Sequence, residues 1–164
     1  MTAQEGSGRE SKNLPARELD PAVERLVRES FDKQGLMRLL GAVIAEVRSG
    51  EVSIRMPFKP ELSQQHGFFH AGGTSSIADT AGGYAGLTVF PRGSAVLTVE
   101  FKINLIAPAK GEALLAVGRV LRSGRTLTVC QLEVFAEQAG KRVPVAVGQQ
   151  TLMCLNEPGT RISA

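Results

Sequence analysis

The sequence predicts an α+β domain in which one long antiparallel sheet wraps a central helix. Two observations carry that reading. From Thr74 to Gly86 the chain holds almost only small residues, broken by Ile77, Tyr84 and one carboxylate, Asp79. Five glycines fall between Gly72 and Gly86, and each costs a helix about 1 kcal/mol relative to Ala. Such a helix persists only where other structure encloses it closely, so Asp79 is expected in a crowded place. Beyond Phe90-Pro91-Arg92-Gly93 the chain is nearly all strand, divided by turn signals, so helix and sheet are segregated.

Composition sets the outer limits. The 164 residues suit one domain, and 43% hydrophobic content suits a packed core. No apolar run approaches the roughly 18 residues of a membrane span, and residues 1 to 20 lack the apolar core of a secretory signal. A cytoplasmic protein is expected, with Cys130 and Cys154 as reduced core thiols. The net charge is only +3 and aromatics are 5%, which argues against a single-stranded nucleic-acid surface with its stacking rings.

Residues 1–19, rich in Gly, Ser, Arg and Glu, read as a disordered tail. Asp20-Pro21 supplies an N-cap and a first helical position. Val23, Leu26, Val27 and Phe31 then recur at helical spacing from Ala22 to Gln34, with Gly35 as the stop. Leu40–Arg48 and Glu51–Phe58 read as strands joined by Ser49-Gly50. In the second, Val52, Ile54 and Met56 alternate with polar neighbours, so one face is buried. Lys59–Gln65 is a loop, and the central helix follows, ending near Val89. Leu97, Val99, Phe101, Ile103 and Leu105 alternate with a face carrying Thr98, Glu100 and Lys102, up to Ala107-Pro108. Glu112–Arg122 and Arg125–Ala136 flank a turn at Ser123-Gly124, and Arg142–Leu155 follows the turn at Ala139-Gly140. Residues 20–156 form one domain, and 157–164 a loose tail.

These residues carry a family likeness. His70-Ala71-Gly72 followed by Ile77-Ala78-Asp79-Thr80-Ala81-Gly82-Gly83-Tyr84-Ala85 resembles the central motif of hotdog-fold acyl-CoA thioesterases of the phenylacetate-pathway (PaaI) type. The likeness extends through Gly67, through Val99–Asn104 to Ala107-Pro108-Ala109, and to Gly118-Arg119-Val120 and Gly124-Arg125, covering roughly residues 35–155. The family usually has Gly where Ala71 stands and Asn where Gln64 stands. The resemblance implies a hotdog fold, a homodimer, with a homotetramer of paired dimers left open, and acyl-CoA as substrate. By the same likeness Gln64 helps bind the thioester carbonyl, and Thr98 replaces a hydroxyl residue that orients water or Asp79. His70 and Gly83 contribute to the substrate site, and Arg122, Gly124 and Arg125 form a turn near the coenzyme A phosphates.

Thioester hydrolysis needs donors for the developing oxyanion and a group that attacks or activates water. Amides at Ala71 and Gly72, at the positive end of the central helix, offer the first. Asp79 offers the second, as nucleophile or as general base. Ala71 and Asp79 are eight residues apart, about 12 Å along a helix, whereas both functions must reach one carbonyl within about 3 Å. Two chains with antiparallel central helices bring Ala71 of one to Asp79 of the other. The chemistry therefore predicts a symmetric dimer with composite sites.

Other chemistries fit less well. His66 and His70 stand four apart, but Gly67 lies between them and no third ligand has fitting spacing, so no metal is expected, nor any redox cofactor. Ser75 and Ser76 lack the Gly-x-Ser-x-Gly elbow, and no Walker-type phosphate loop is present. Two rivals stay open: a hotdog protein that binds acyl-CoA without turnover, and an acyl-thioester hydratase or dehydratase using His70 with Asp79. His70 is read as holding the turn before the helix. Phe68, Phe69, Tyr84 and Phe90 are candidates for the pocket lining.

Overall fold

The computed structural model describes residues 18–155. The expected tails therefore lie outside the described residues, apart from Glu18 and Leu19, as does Asn156. Helix α1 (Pro21–Phe31) starts as anticipated, with Asp20 accepting from the Ala22 amide at 2.8 Å and Val27 and Phe31 buried. Gly35 does not simply end it. A second short helix, α2 (Gly35–Leu40), follows, buries Met37 and Leu40, and closes at Gly41 in the left-handed region, φ 68°. Six residues are too few to display a helical period, which is why residues 36–39 are assigned to no element from sequence and Leu40 reads as the start of a strand. Strand β1 accordingly begins at Val43.

The strands are β1 (Val43–Arg48), β2 (Glu51–Pro57), β3 (Ala95–Leu105), β4 (Ala113–Ser123), β5 (Leu127–Gln138) and β6 (Lys141–Leu155), with a 3-10 turn at Pro60–Leu62. Arg125 thus lies in the β4–β5 turn and not in β5. All pair antiparallel in one six-stranded sheet of order β1-β2-β4-β5-β6-β3. The central helix α3 (Ala71–Leu87) lies against β2, β3, β4, β5 and β6. Val52, Ile54, Met56, Ile77, Leu114 and Leu132 are fully buried between them, each contributing about 1.5–3 kcal/mol of apolar burial. No described helix is long and apolar enough to cross a membrane.

The small residues of α3 are explained by how closely the sheet approaches. A methyl carbon added at Gly118 of β4 would stand 2.5 Å from both Ala81 C and Gly82 Cα. One added at Gly82 would stand 2.6 Å from Leu132 and 3.1 Å from Gln150 Cδ. Backbone meets backbone where helix and sheet cross.

Strand β3 departs from strict alternation. Its register on β6 shifts between Thr98 and Glu100, with Thr98 opposite Leu152 and Glu100 opposite Thr151. Cross-strand partners share a face of the sheet, and Leu152 is fully buried against α3. Val99 is the extra residue of a β-bulge, which reverses the side-chain alternation beyond it. Thr98 therefore faces the helix. Its expected place on the outer face with Glu100 and Lys102 is corrected by this one-residue insertion, which no periodicity could show. β3 is also an edge strand, and Leu97, Val99, Phe101 and Leu105 are all exposed on it.

Candidate active site

The site residues fall at two stations on α3. At its start, the His70 amide donates to Leu62 O at 2.8 Å and the Phe69 amide to Ala109 O at 2.9 Å, which fixes the approach of the chain. His70 then caps the helix. Its Nδ1 accepts from the Gly72 amide at 2.9 Å, and its carbonyl accepts from Gly73 and Thr74 at 3.1 and 3.2 Å. The two amides expected as oxyanion donors therefore differ in their engagement. Gly72 N–H is engaged by the imidazole, and Ala71 N–H is the first-turn amide with no acceptor among the described residues. His70 holds the turn, as the sequence suggested.

Gln64 lies beside this station. Its Oε1 accepts from the His66 amide, and its Nε2 has no acceptor among the described residues. Gln64, Phe68, Phe69 and Ala71 share a cavity of about 500 Å³ with Leu105–Ala109. The cavity accordingly holds two unengaged donors, the Ala71 N–H and the Gln64 amide.

The second station is Asp79. Its carboxylate is half-buried, and it makes no ion pair among the described residues. Oδ1 accepts from Thr98 Oγ1 at 2.8 Å and from Gln150 Nε2 at 2.5 Å. Gln150 Nε2 also lies 3.0 Å from Thr98 Oγ1 and 3.1 Å from the Asp79 carbonyl. Oδ2 accepts from no described residue. Asp79, Thr98, Gly83 and Tyr84 line a cavity of about 380 Å³ whose far wall includes Leu26 and Ser30 of α1. An atom added at Gly83 would meet nothing within 4 Å, so the space beside this glycine is open.

Tyr84 braces the cavity against α1. Its hydroxyl donates to Ser30 Oγ at 3.1 Å and accepts from Gln34 Nε2 at 3.2 Å, and its ring lies 6.1 Å from that of Phe31. Burial raises its pKa above the usual 10, against the smaller opposing effect of these hydrogen bonds, so the hydroxyl stays neutral. Phe68 and Phe69 line the first cavity, Tyr84 the second, and Phe90 a smaller neighbouring one. Arg122 near the end of β4, and Gly124 and Arg125 on the β4–β5 turn, are exposed and line neither main cavity.

Gln150 was not singled out from the sequence, although a signal was present. It stands in β6 at even spacing from Leu152 and Cys154, both buried, so it shares their inward face. It is 1% exposed, and its Oε1 has no hydrogen-bond partner among the described residues. Such an orphan acceptor costs about 1–3 kcal/mol.

The model of the thioesterase superfamily matches residues 66–143. Among solved structures, a thioesterase family protein from Silicibacter pomeroyi is 42% identical, with TM-score 0.79, over 81% of this chain and 98% of that one. Human acyl-coenzyme A thioesterase 13 is 25% identical over 79% of this chain and 92% of its own length. The PaaI protein of the E. coli phenylacetic acid degradation operon has the same fold, with TM-score 0.75 at 21% identity over 87% of this chain and 97% of that one.

Proposed function

The chain belongs to the thioesterase superfamily, and we propose that it hydrolyses the thioester of an acyl-CoA to a free acid and coenzyme A. The observation that carries this is the state of Asp79: one oxygen held by Thr98 and Gln150, the other open beside a cavity. In one route Oδ2 takes a proton from water as the water oxygen adds to the carbonyl carbon. In the other, Oδ2 itself adds, giving an anhydride that water then cleaves. Either way the C–S bond breaks, and the sulfur leaves as thiolate and takes up a proton. The Ala71 amide and Gln64 Nε2 are the donors proposed for the oxyanion. The steps use protein groups alone, without metal or redox cofactor.

Donors and carboxylate lie in different cavities of one chain, about 12 Å apart along the helix. That separation supports a homodimer in which the Ala71 station of one subunit meets Asp79 of the other. The exposed apolar edge of β3 supports it as well. Light scattering distinguishes this dimer from a tetramer of paired dimers.

The test is release of free thiol from a panel of acyl-CoAs by wild type and Asp79→Asn. Turnover by wild type, lowered by about three orders of magnitude in the folded variant, is expected. Binding of acyl-CoA without turnover favours the sequestering protein, and a variant as active as wild type removes Asp79 from the chemistry.

A further inference from the structure

We propose that Gln150 is a positioning residue that decides which oxygen of Asp79 reacts; this rests on the hydrolytic reading above. A carboxylate turns almost freely about its terminal torsion, which is broad and two-fold. One hydrogen bond from Thr98 fixes a point on it, not its plane. Gln150 adds a second donor from a different strand, β6, and its Nε2, Thr98 Oγ1 and Asp79 Oδ1 close a triangle of 2.5, 2.8 and 3.0 Å. A contact of the same nitrogen with the Asp79 carbonyl at 3.1 Å ties it to the helix backbone. Oδ1 is thereby occupied and Oδ2 left for substrate or water. Gln150 does not line the cavity, so it acts through Asp79.

The orientation of the amide follows from chemistry. Reversed, its oxygen would face Oδ1 and the Asp79 carbonyl, acceptor against acceptor. The orientation present leaves Oε1 buried without a partner beside Gly82, where an added methyl carbon would stand 3.1 Å from Gln150 Cδ. A mere filler at this spot would be apolar and leave no orphan. The amide earns its place only through the donor it presents.

The test is steady-state kinetics and thermal unfolding of Gln150→Met, a donor-free side chain of similar length. The expected result is an unchanged or raised Tm, KM within about twofold, and kcat lowered about tenfold to hundredfold. A folded Gln150→Met with wild-type kcat overturns the proposal. Should Gln150→Met fail to fold, Gln150→Glu carries the test. It offers a donor only when its carboxyl is protonated, so its kcat relative to wild type is expected to rise as pH is lowered. A pH-independent ratio overturns the proposal. Asp79→Asn separates the two readings. If it is inactive while Gln150→Met turns over normally, only the positioning role falls. If it is fully active, or if wild type turns over no acyl-CoA, the hydrolytic reading falls and this role with it.

Discussion

Gly82 on α3 and Gly118 on β4 touch backbone to backbone, so closely that a methyl carbon on Gly118 would stand 2.5 Å from Gly82 Cα. Main chain cannot swing aside as a side-chain tip can. Gly118→Ala is therefore expected to lower the unfolding free energy by about 3 kcal/mol, the upper end of ordinary overpacking. Urea unfolding measures it; an unchanged midpoint shows that α3 can lift off β4 at no cost.

Shared sites predict complementation. Position 71 is the first residue of α3, where proline is tolerated, and His70 already has the extended backbone that a following proline requires (φ −68°, ψ 137°). Ala71→Pro thus removes the N–H with little harm to the helix. Mixed one to one with Asp79→Asn and allowed to exchange, half the dimers are mixed and each carries one intact site of two. Roughly a quarter of wild-type activity is expected to return. No recovery between exchanging, folded chains rules out sites built from two subunits.

Arg122 and Arg125 stand exposed and without ion-pair partners among the described residues. If they meet the coenzyme A phosphates, Arg122→Ala with Arg125→Ala raises KM about fivefold to tenfold for an acyl-CoA. The same acyl group on N-acetylcysteamine, which lacks phosphate, should show no change. Equal effects on both substrates would remove the turn from phosphate recognition.

The Cys130 thiol is buried, which pushes its pKa from 9.0 up to about 12. The folded chain therefore holds this proton where the unfolded chain releases it. The resulting contribution is complete below the unfolded value and is lost as pH rises toward the folded one, by at most about 1.4 kcal/mol per pH unit. Urea midpoints in that alkaline range should fall more steeply for wild type than for Cys130→Ala. Parallel slopes mean that the thiol ionises without unfolding.

Much of this architecture was legible because it is written in local chemistry. The glycine-rich run announced α3 and its enclosure, and Ser49-Gly50, Ser123-Gly124 and Ala139-Gly140 marked hairpins that the strand pairings bear out. Asp79 stood out as the lone charge in a helix of small residues. What stayed hidden depends on neighbours distant in sequence. The Val99 bulge is set by pairing with β6, and α2 is a six-residue helix recruited by burial of Met37 and Leu40. Gln150 looked like a strand residue until its nitrogen met a carboxylate 71 positions away. Gly72 looked like a free amide until His70 turned its ring back on it.

The insertion at Val99 also separates two kinds of genetic change. Replacing an apolar residue of β3 by another leaves the phase of the strand alone. Deleting one codon there would preserve nearly every letter of the pattern yet turn the strand's first half over, carrying the Thr98 hydroxyl to the far side. Reading frame within the strand, more than residue identity, is what this edge has to keep.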